Sequence, residues 1–228
     1  MRIISGNYKG RLIQMPRNIR PTQQKVRKAI FDILGDIEGL SFLELFAGSA
    51  AVGFEAASRG ASEVVLIEQN ADCAMAIRKN IESLKECAFS FYAQDAERAV
   101  KMLHSNGKKF DIVFLDPPYY KDKRGSVLLS ASTPGANRNC AGVPLSEATP
   151  RANRNCAGVL LSEAKKTLQI LGAHDILNRF GIIIAQHFKK DALPAALGVL
   201  HLFRQSKYGD TLLSFYRKEV IALLRLTL

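Results

Sequence analysis

The sequence predicts a doubly wound α/β fold with a mostly parallel seven-stranded sheet, and three observations lead to this prediction. Short apolar segments alternate with helical segments after Gly35. These segments are apolar throughout, as expected for strands that helices cover on both faces. Hydrophobic residues make up 47% of the 228 residues, which is enough for one buried core. In such folds, ligands bind at the carboxyl ends of the strands.

The predicted elements alternate regularly along the chain. Strands are expected at residues 42–46, 64–68, 89–93, 110–115, 181–186, 197–206 and 211–216. Helices are expected at residues 50–59, 71–84, 96–103 and 165–178. The last two strands resemble an antiparallel pair around the turn Tyr208-Gly209-Asp210. Residues 35–220 are therefore predicted to form one domain, followed by an apolar tail at residues 221–228.

A basic extension precedes this domain at residues 1–34. Residues 1–28 hold eight Lys and Arg side chains and no Asp or Glu, in a chain of net charge +11. Residues 3–14 suggest a small hairpin, and Thr22 is expected to cap an amphipathic helix. A local positive cluster is typical of a polyanion-binding surface, although a solubilising terminus would have the same composition. The residues expected to contact nucleic acid are Lys9, Arg11, Arg20, Arg27 and Lys28.

Several function classes are disfavoured by features that the sequence lacks. No apolar run reaches the roughly 18–20 residues of a membrane-spanning helix, and the first ten residues lack the apolar core of a signal peptide. None of the four cysteines, Cys73, Cys87, Cys140 and Cys156, belongs to a CxxC pair, so neither zinc nor a disulfide framework is predicted. We expect no metal, no membrane partner and a reducing, cytoplasmic location.

A tandem repeat interrupts the domain at about residues 127–164. Residues 133–148 read TPGANRNCAGVPLSEA and residues 149–164 read TPRANRNCAGVLLSEA, identical at fourteen of sixteen positions. Identity at surface-type positions indicates a recent duplication, and two copies are too few for a packed repeat array. The Asn, Pro, Gly and Ser content predicts a loop. The alternative is an additional nucleic-acid-contacting loop that carries Arg138, Arg151 and Arg154.

The first candidate site follows the first strand, in the segment LELFAGSAAVG at residues 43–53. Gly48 and the small residues after it allow a ligand to approach the backbone closely, and the following helix N-terminus favours a carboxylate or phosphate. Glu68 ends the next strand, where an acid can bind a ribose hydroxyl pair. A nucleoside ligand is predicted. The absence of GxGxxG argues against a nicotinamide dinucleotide.

The second candidate site is Asp116-Pro117-Pro118-Tyr119, directly after the fourth strand. Two prolines make a stiff turn, so the Asp116 carboxylate and the Pro117 carbonyl would present two acceptors in one place. Such a pair can hold both hydrogens of a planar amine on a base, and Tyr119 offers a face for stacking. This geometry predicts amine chemistry at a base. An ordinary turn is the alternative interpretation.

Two further polar residues follow strands. Asp95 suits the adenine amine of a nucleoside ligand and the N-cap of the helix at residues 96–103 equally well. His187 follows the fifth strand and is more often structural than catalytic in such a position.

Together, these segments resemble the bacterial 16S rRNA (guanine-N2)-methyltransferase family. The matching segments are MRIISGNYKGR at the start, LFAGSAAVGFEAASRGA at 45–61, FDIVFLDPPYYK at 110–121 and KYGDTLLSFYRK at 207–218. The resemblance covers almost the whole chain except residues 125–164 and about the last eight. It implies a Rossmann-like class I methyltransferase that transfers a methyl group from S-adenosylmethionine to the N2 amine of a guanine in 16S rRNA.

The resemblance also implies roles for individual residues. Glu44, Phe46, Gly48 and Ser49 belong to the expected cofactor segment, and the last three would line its methionine part. Glu68 would hold the ribose and Asp95 the adenine. Residues 116–119 would hold the guanine. The implied partner is rRNA within a 30S subunit or an assembly intermediate, and the protein is expected to act as a monomer.

Three departures from the family pattern stand out. The family usually has glycine at the position of Ala50, and an acid at the position of Gln186. The repeat at 127–164 interrupts a region that should border the substrate, where it is either tolerated, functional or inactivating.

Alternatives from other classes remain open. A DNA-adenine or protein-glutamine amino-methyltransferase would use a similar proline turn, but Asp116 argues against the glutamine enzymes and the basic extension favours nucleic acid. A catalytically inactive RNA-binding module would keep the basic extension and lose cofactor binding.

Overall fold

A computed structural model of the chain describes residues 1–16, 19, 21–84, 87–118, 120–121, 127–128 and 162–219. The helices are α1 (Gln24–Leu34), α2 (Ala51–Ser58), α3 (Ala71–Ser83), α4 (Ala96–Ser105) and α5 (Glu163–Ala173). The strands before α5 are β1 (Ser41–Leu45), β2 (Glu63–Ile67), β3 (Ala88–Tyr92), β4 (Phe110–Leu115), β5 (Tyr120–Lys121) and β6 (Val127–Leu128). The strands after it are β7 (Leu177–Phe188), β8 (Ala196–Leu197), β9 (Leu200–Tyr208) and β10 (Thr211–Lys218).

The main sheet has the strand order β3-β2-β1-β4-β7-β10-β9-β8. The first five strands in this order are parallel to one another, whereas β10 pairs antiparallel with β7 and β9, and β8 pairs antiparallel with β9. This confirms the predicted mostly parallel α/β sheet. The sheet contains eight strands rather than seven, because the two-residue strand β8 pairs with the start of β9. β5 and β6 form a separate antiparallel pair.

Two apolar layers cover the two faces of the sheet. Neighbouring strand residues point to opposite sides, so Phe42 and Phe114 join one layer while Leu43 and Val113 join the other. The first layer contains residues of α1, α2 and α3, and the second contains residues of α4 and α5. Helices on both faces explain why the parallel strands are apolar at every position.

The boundary between α5 and β7 differs most from the sequence prediction. The helix predicted to reach residue 178 ends at Ala173, and the strand predicted from residue 181 begins at Leu177. The segment between them extends the sheet instead, since the Phe110 amide donates to the Ile176 carbonyl at 2.9 Å. Gly181 permits this close pairing, because a Cβ there would lie 2.9 Å from the Phe110 carbonyl oxygen. All other boundaries of the predicted domain elements agree within three residues.

The N-terminal hairpin is small, and hydrogen bonds hold it against α2. Its strands meet in one antiparallel bridge between Arg2 and Leu12. The buried Glu55 carboxylate accepts the backbone amides of Ile4 and Ser5 at 2.8 and 3.0 Å. These contacts hold the hairpin at the end of α2 that lies away from the carboxyl edge of the strands.

The predicted N-cap at Thr22 is wrong. Helix α1 begins at Gln24, and the residue at its cap, Gln23, makes no side-chain capping bond. The Thr22 hydroxyl instead donates to Asp116 Oδ2 at 3.2 Å. A threonine hydroxyl before a helix usually bonds to a nearby backbone amide, but that of Thr22 bonds to the carboxylate of Asp116, 94 residues away in the sequence.

Most of the tandem repeat and the apolar tail lie outside the described residues. Within the part of the chain that the structure describes, no helix is both long and apolar enough to cross a bilayer.

Candidate active site

A large cavity opens at the carboxyl ends of β1, β2, β4 and β7. Its volume is about 1130 Å³, which can accommodate a nucleoside-sized ligand together with a base. One wall comes from the extension, at Ile19 and residues 21–23, 25 and 26. The opposite wall comes from the loops after the strands. Of the residues predicted to bind cofactor or substrate, Glu44, Phe46, Gly48, Ser49, Glu68, Asp116, Pro117 and Pro118 line this cavity.

The loop after β1 is a compressed turn. Phe46, Gly48 and Ala50 all have left-handed backbone conformations, with φ of 58°, 54° and 54°. Such values suit glycine and cost other residues about 1–2 kcal/mol each. Ala50 therefore carries strain at the position where the family pattern has glycine. Strain of this kind is typical of ligand-binding turns held by the surrounding fold.

The Glu44 carboxylate occupies the N-terminus of α2. Its Oε2 accepts the Gly53 amide at 2.7 Å, and the Val52 amide also donates to this side chain. The sequence predicted a ligand carboxylate or phosphate at this helix end, but the chain supplies its own. Burial raises the pKa of Glu44 to about 8, despite these two amides and helped by the nearby charges of Asp116 and Glu68.

Glu68 joins the ends of β1 and β2. One of its oxygens accepts the Gly48 amide at 2.7 Å, and the other accepts the Asn70 amide at 2.7 Å. The bond to Gly48 fixes the compressed turn against β2. Because each carboxylate oxygen has a second lone pair, Glu68 keeps acceptor capacity on the side that faces the cavity.

Asp116 stands where β4 ends, beside the turn that follows β1. The pairing of Leu45 with Leu115 in neighbouring parallel strands brings the two loops together. The Asp116 Oδ2 atom accepts hydrogen bonds from the Thr22 hydroxyl at 3.2 Å and from the Gln186 amide at 2.7 Å. Within the described residues, no hydrogen bond reaches Oδ1. Burial raises the pKa of Asp116 to about 7, although both donors oppose this shift.

The prolines after Asp116 differ in exposure. Pro117 is buried and Pro118 is exposed, and both line the cavity. The predicted stacking residue Tyr119 lies outside the described residues.

The cavity lining is predominantly acidic. Glu44, Glu68, Asp116 and Asp210 contribute carboxyl groups, and Lys25 contributes an ammonium group. Glu44, with a pKa of about 8, is largely uncharged at pH 7, and Asp116, with a pKa of about 7, is partly ionised, but the carboxyl groups still outnumber the single ammonium group. In a chain of net charge +11, a lining of this sign favours a cationic ligand. The sulfonium cofactor that the sequence predicts is such a ligand, and the left-handed turn with its open Gly48 can approach it closely. The residues present therefore fit S-adenosylmethionine.

Two other predicted polar residues lie outside this lining. Asp95 caps α4, where its side chain accepts the Arg98 amide at 2.9 Å, and it is not among the residues that line the cavity. His187 is 2% exposed and shares a 2.8 Å hydrogen bond with Ser214 Oγ. Burial lowers the pKa of His187, as expected for a structural histidine.

The basic residues of the extension divide into exposed and buried groups. Lys9, Arg11 and Lys28 are exposed. Arg27 is 2% exposed, and its guanidinium donates to Met1 Sδ and to the Arg2 carbonyl. The prediction that Arg27 contacts nucleic acid is therefore wrong, because a phosphate cannot reach a guanidinium that the fold has enclosed. Arg20 lies outside the described residues.

Several lining residues were not singled out from the sequence. The sequence pattern predicts a helix cap at Thr22, a departure from the family pattern at Gln186 and a turn at Asp210. The signal that could have identified Gln186 is its place at the end of a buried strand adjacent to β4 in a sheet of this class. Thr22 gave no local signal, since its contact with Asp116 spans 94 residues of sequence.

Comparisons with known proteins agree with this geometry. Residues 1–132 match the family described as Conserved hypothetical protein 95. The Bacillus subtilis protein YlbH, provisionally named an rRNA methyltransferase, is 28% identical over 96% of this chain and 100% of its own length. The Escherichia coli ribosomal RNA small subunit methyltransferase D is 35% identical over 122 residues, which are 52% of this chain and 60% of that protein.

Solved structures show the same fold. A hypothetical protein from Thermus thermophilus has a TM-score of 0.68 at 24% identity, with 95% of this chain and 99% of that chain covered. The Thermus thermophilus 16S rRNA N2 G1207 methyltransferase, in complex with AdoMet and guanosine, has a TM-score of 0.57 at 16% identity. That match covers 89% of this chain and 44% of the other. These likenesses confirm the predicted Rossmann-like class I methyltransferase fold.

The family match covers more than half of the chain, and the acidic cavity fits the cofactor that such enzymes use. The chain therefore belongs to the Conserved hypothetical protein 95 family, the family of the ribosomal RNA small subunit methyltransferase D proteins, and is an S-adenosylmethionine-dependent methyltransferase.

Proposed function

We propose that this methyltransferase transfers a methyl group to the exocyclic N2 amine of a guanine in 16S rRNA. The observation that carries the proposal is the Oδ1 atom of Asp116, to which none of the described residues donates a hydrogen bond and which lies in one cavity with the Gly48 turn. A carboxylate with one unoccupied oxygen can accept a hydrogen from an amine. The bases whose amines could enter are guanine, adenine and cytosine, and the family to which the chain belongs favours guanine.

The reaction needs position and charge more than it needs a nucleophile from the protein. When bound, S-adenosylmethionine supplies an electrophilic methyl group on a sulfonium. Asp116 Oδ1 and the Pro117 carbonyl would accept the two N2 hydrogens and orient the nitrogen lone pair toward the cofactor turn. Such preorganisation of acceptors and reactants contributes several kcal/mol to rate enhancements in enzymes generally.

Asp116 also suits the proton transfer that accompanies methylation. A nitrogen–carbon bond forms as the carbon–sulfur bond breaks, and the methylated amine then loses one proton. A carboxyl group whose pKa is about 7 is partly ionised at neutral pH and can accept that proton. Glu44 is less suited to this step, because the amides of α2 already occupy its carboxylate.

The proposed substrate class is ribosomal RNA. The related Escherichia coli and Haemophilus influenzae proteins are named ribosomal RNA small subunit methyltransferase D. The exposed side chains of Lys9, Arg11 and Lys28 can bind phosphates of the RNA backbone. We further propose that the substrate is a 30S subunit or its assembly intermediate, that the enzyme acts as a monomer and that it works in the cytoplasm.

A label-transfer experiment tests this function against the other amino-methyltransferases. The full chain is incubated with tritiated S-adenosylmethionine and, separately, with 30S subunits that lack the modification, free 16S rRNA, plasmid DNA and release factor. The expected product is N2-methylguanosine in hydrolysed rRNA, with Asp116→Ala as the inactive control. Label in N6-methyladenine of DNA, or label only in protein, would overturn the proposal. Binding of RNA without any transfer would favour an inactive module.

A further inference from the structure

Two side chains from distant parts of the sequence hold the same oxygen of Asp116. Thr22 belongs to the extension, and Gln186 belongs to β7. Their contacts with Asp116 Oδ2 span 94 and 70 residues of sequence. Donors that converge from two elements on one carboxylate oxygen restrict the rotation of the carboxyl group, so its other oxygen faces a fixed direction.

We propose that Thr22 and Gln186 are positioning residues that act through Asp116, and that Thr22 thereby couples the RNA-binding extension to the reacting centre. The inference rests on the proposed function, in which Asp116 Oδ1 accepts the substrate amine. Thr22 and Gln186 leave that oxygen free because both donate to Oδ2.

The orientation of the Gln186 amide follows from its surroundings. The side chain is 6% exposed, and its Oε1 atom is buried without a hydrogen-bond partner among the described residues. When Asp116 is ionised, a flipped amide would place that carbonyl oxygen 2.7 Å from Oδ2 and replace a hydrogen bond with repulsion. The NH2 group of Gln186 thus points at the carboxylate, while its carbonyl oxygen has no partner among the described residues. Buried polar atoms without a partner are rare in proteins, so this orientation suggests that the hydrogen bond to Asp116 has a role.

The identity of residue 186 matters for the charge of Asp116. An acid at this position, as the family pattern has, would place a second carboxyl group against Asp116 and raise its pKa further. The Gln186 amide donates a hydrogen bond instead and stabilises the ionised form. The hydroxyl of Thr22 acts in the same direction.

Thr22 lies in the part of the extension that lines the cavity. Residues 21–23 all line the cavity wall, and α1, which carries the exposed Lys28, begins directly afterwards. RNA bound at Lys28 would therefore lie a few residues from the segment that donates to Asp116, whereas Lys9 and Arg11 lie on the hairpin, farther from the cavity. A displacement of this segment would remove one of the two donors.

Other charged groups line the same cavity as Asp116, and their titration must be distinguished from that of Asp116. Glu44 comes from β1, Glu68 follows β2, Lys25 comes from α1 and Asp210 from the β9–β10 turn. Glu44 is the most serious of these, since its pKa of about 8 lies close to that of Asp116. Labelling aspartate alone removes the glutamates from the observed signals.

The experiment is a carboxyl-carbon NMR titration of the full chain labelled with ¹³C-aspartate, with Asp116→Asn used to assign the signal. The proteins compared are the wild type, Thr22→Val, Thr22→Ser and Gln186→Met. Loss of either donor should raise the Asp116 midpoint by about one pH unit, and serine should restore the wild-type midpoint. The single-turnover rate of methyl transfer to 30S subunits should rise with pH as Asp116 ionises, and the midpoint of this rise should shift by the same amount. The affinity for S-adenosylhomocysteine should stay unchanged.

The outcomes separate this inference from the proposed function. An Asp116 midpoint that stays at the wild-type value in both Thr22→Val and Gln186→Met overturns the inference, as does a rate reduced equally at every pH. If the wild type methylates no RNA, the proposed function fails, while the titration of the unliganded protein still decides whether the two donors act on Asp116. If Thr22→Val does not fold, Thr22→Ala replaces it; if neither folds, Thr22 is a structural residue and its proposed role is overturned, while Gln186→Met decides the other half.

Discussion

The amide of Gly53 donates to Glu44 Oε2 at 2.7 Å, so the first turn of α2 is capped by a carboxylate from the neighbouring strand. Glycine is required for this approach, because a Cβ on residue 53 would lie 2.7 Å from that oxygen and 2.5 Å from Leu66 Cδ2. The contact fixes the helix against β1 and β2 and thereby shapes the cofactor turn between β1 and α2.

Gly53→Ala should destabilise the protein by about 1–3 kcal/mol, although alanine is the better helix former, because the new methyl group overpacks the contact. Urea unfolding measures the change, and calorimetry with S-adenosylhomocysteine should show weaker binding. Gly107→Ala is the control for cofactor binding: it faces open space at φ +67°, so it should lose about 1–2 kcal/mol of stability through its left-handed backbone and keep the wild-type affinity for S-adenosylhomocysteine. Equal stability of Gly53→Ala and the wild type would contradict the steric argument.

The raised pKa of Glu44 predicts that stability falls as the pH rises. Folding moves this pKa from about 4.5 to about 8, so the unfolded chain releases a proton that the native state keeps across this window. The unfolding free energy should therefore decrease between pH 5 and pH 8, by at most about 1.4 kcal/mol per pH unit for this group. Glu44→Gln should reduce the decrease and leave the part due to Asp116. Urea midpoints at four pH values test this, and identical slopes in both proteins would exclude a protonated Glu44.

Relief of strain at Ala50 should stabilise the protein. Ala50→Gly removes the cost of a left-handed alanine and adds unfolded-state entropy, for a net gain of about 0.5–1 kcal/mol. Ala51→Gly is the matched control, because the next residue is the first of α2 and glycine should cost about 0.5–1 kcal/mol there. Thermal or urea unfolding of both variants gives the comparison. A destabilised Ala50→Gly would show that the turn does not strain alanine.

Lys28 should contribute to RNA affinity in a salt-dependent way. It is an exposed helical lysine paired with Asp32 at 2.7 Å, and Lys101 is a close match, paired with Glu97 at 2.6 Å on α4. Lys28→Glu should weaken binding to 16S rRNA and lower the slope of log affinity against log salt by about one. Lys101→Glu changes the net charge equally and should leave the slope unaltered. Equal effects of both changes would mean that overall charge, rather than the extension, governs binding.

The fold was largely predictable because its signals are local. Continuous apolar strands and intervening amphipathic helices place β1 to β4 and α2 to α4 within a few residues, since burial on both sheet faces leaves little choice of sequence. The boundary between Ala173 and Leu177 was not predictable, because the sequence of this short segment is compatible with both a helix and a strand. Its pairing with β4 in the folded protein decides between them.

The candidate site was predictable where strand order alone determines position. Gly48, Glu68 and Asp116 meet because each follows a parallel strand at the same edge of the sheet. The environment of each side chain was harder to predict from the sequence. Arg27 has the sequence pattern of a surface residue, yet packing of the hairpin encloses it, and Thr22 reaches Asp116 only after the extension has folded onto the domain.

Asp116→Ala gives the most direct test of the central claim, which is that this carboxylate holds the substrate amine beside a separately bound cofactor. S-adenosylhomocysteine binding to the variant is measured by calorimetry, and methyl transfer to 30S subunits is measured at the same protein concentration. We expect transfer to fall below detection while the cofactor dissociation constant stays within a few fold of the wild-type value. Transfer at a rate near that of the wild type, or loss of cofactor binding in the variant, would contradict the account.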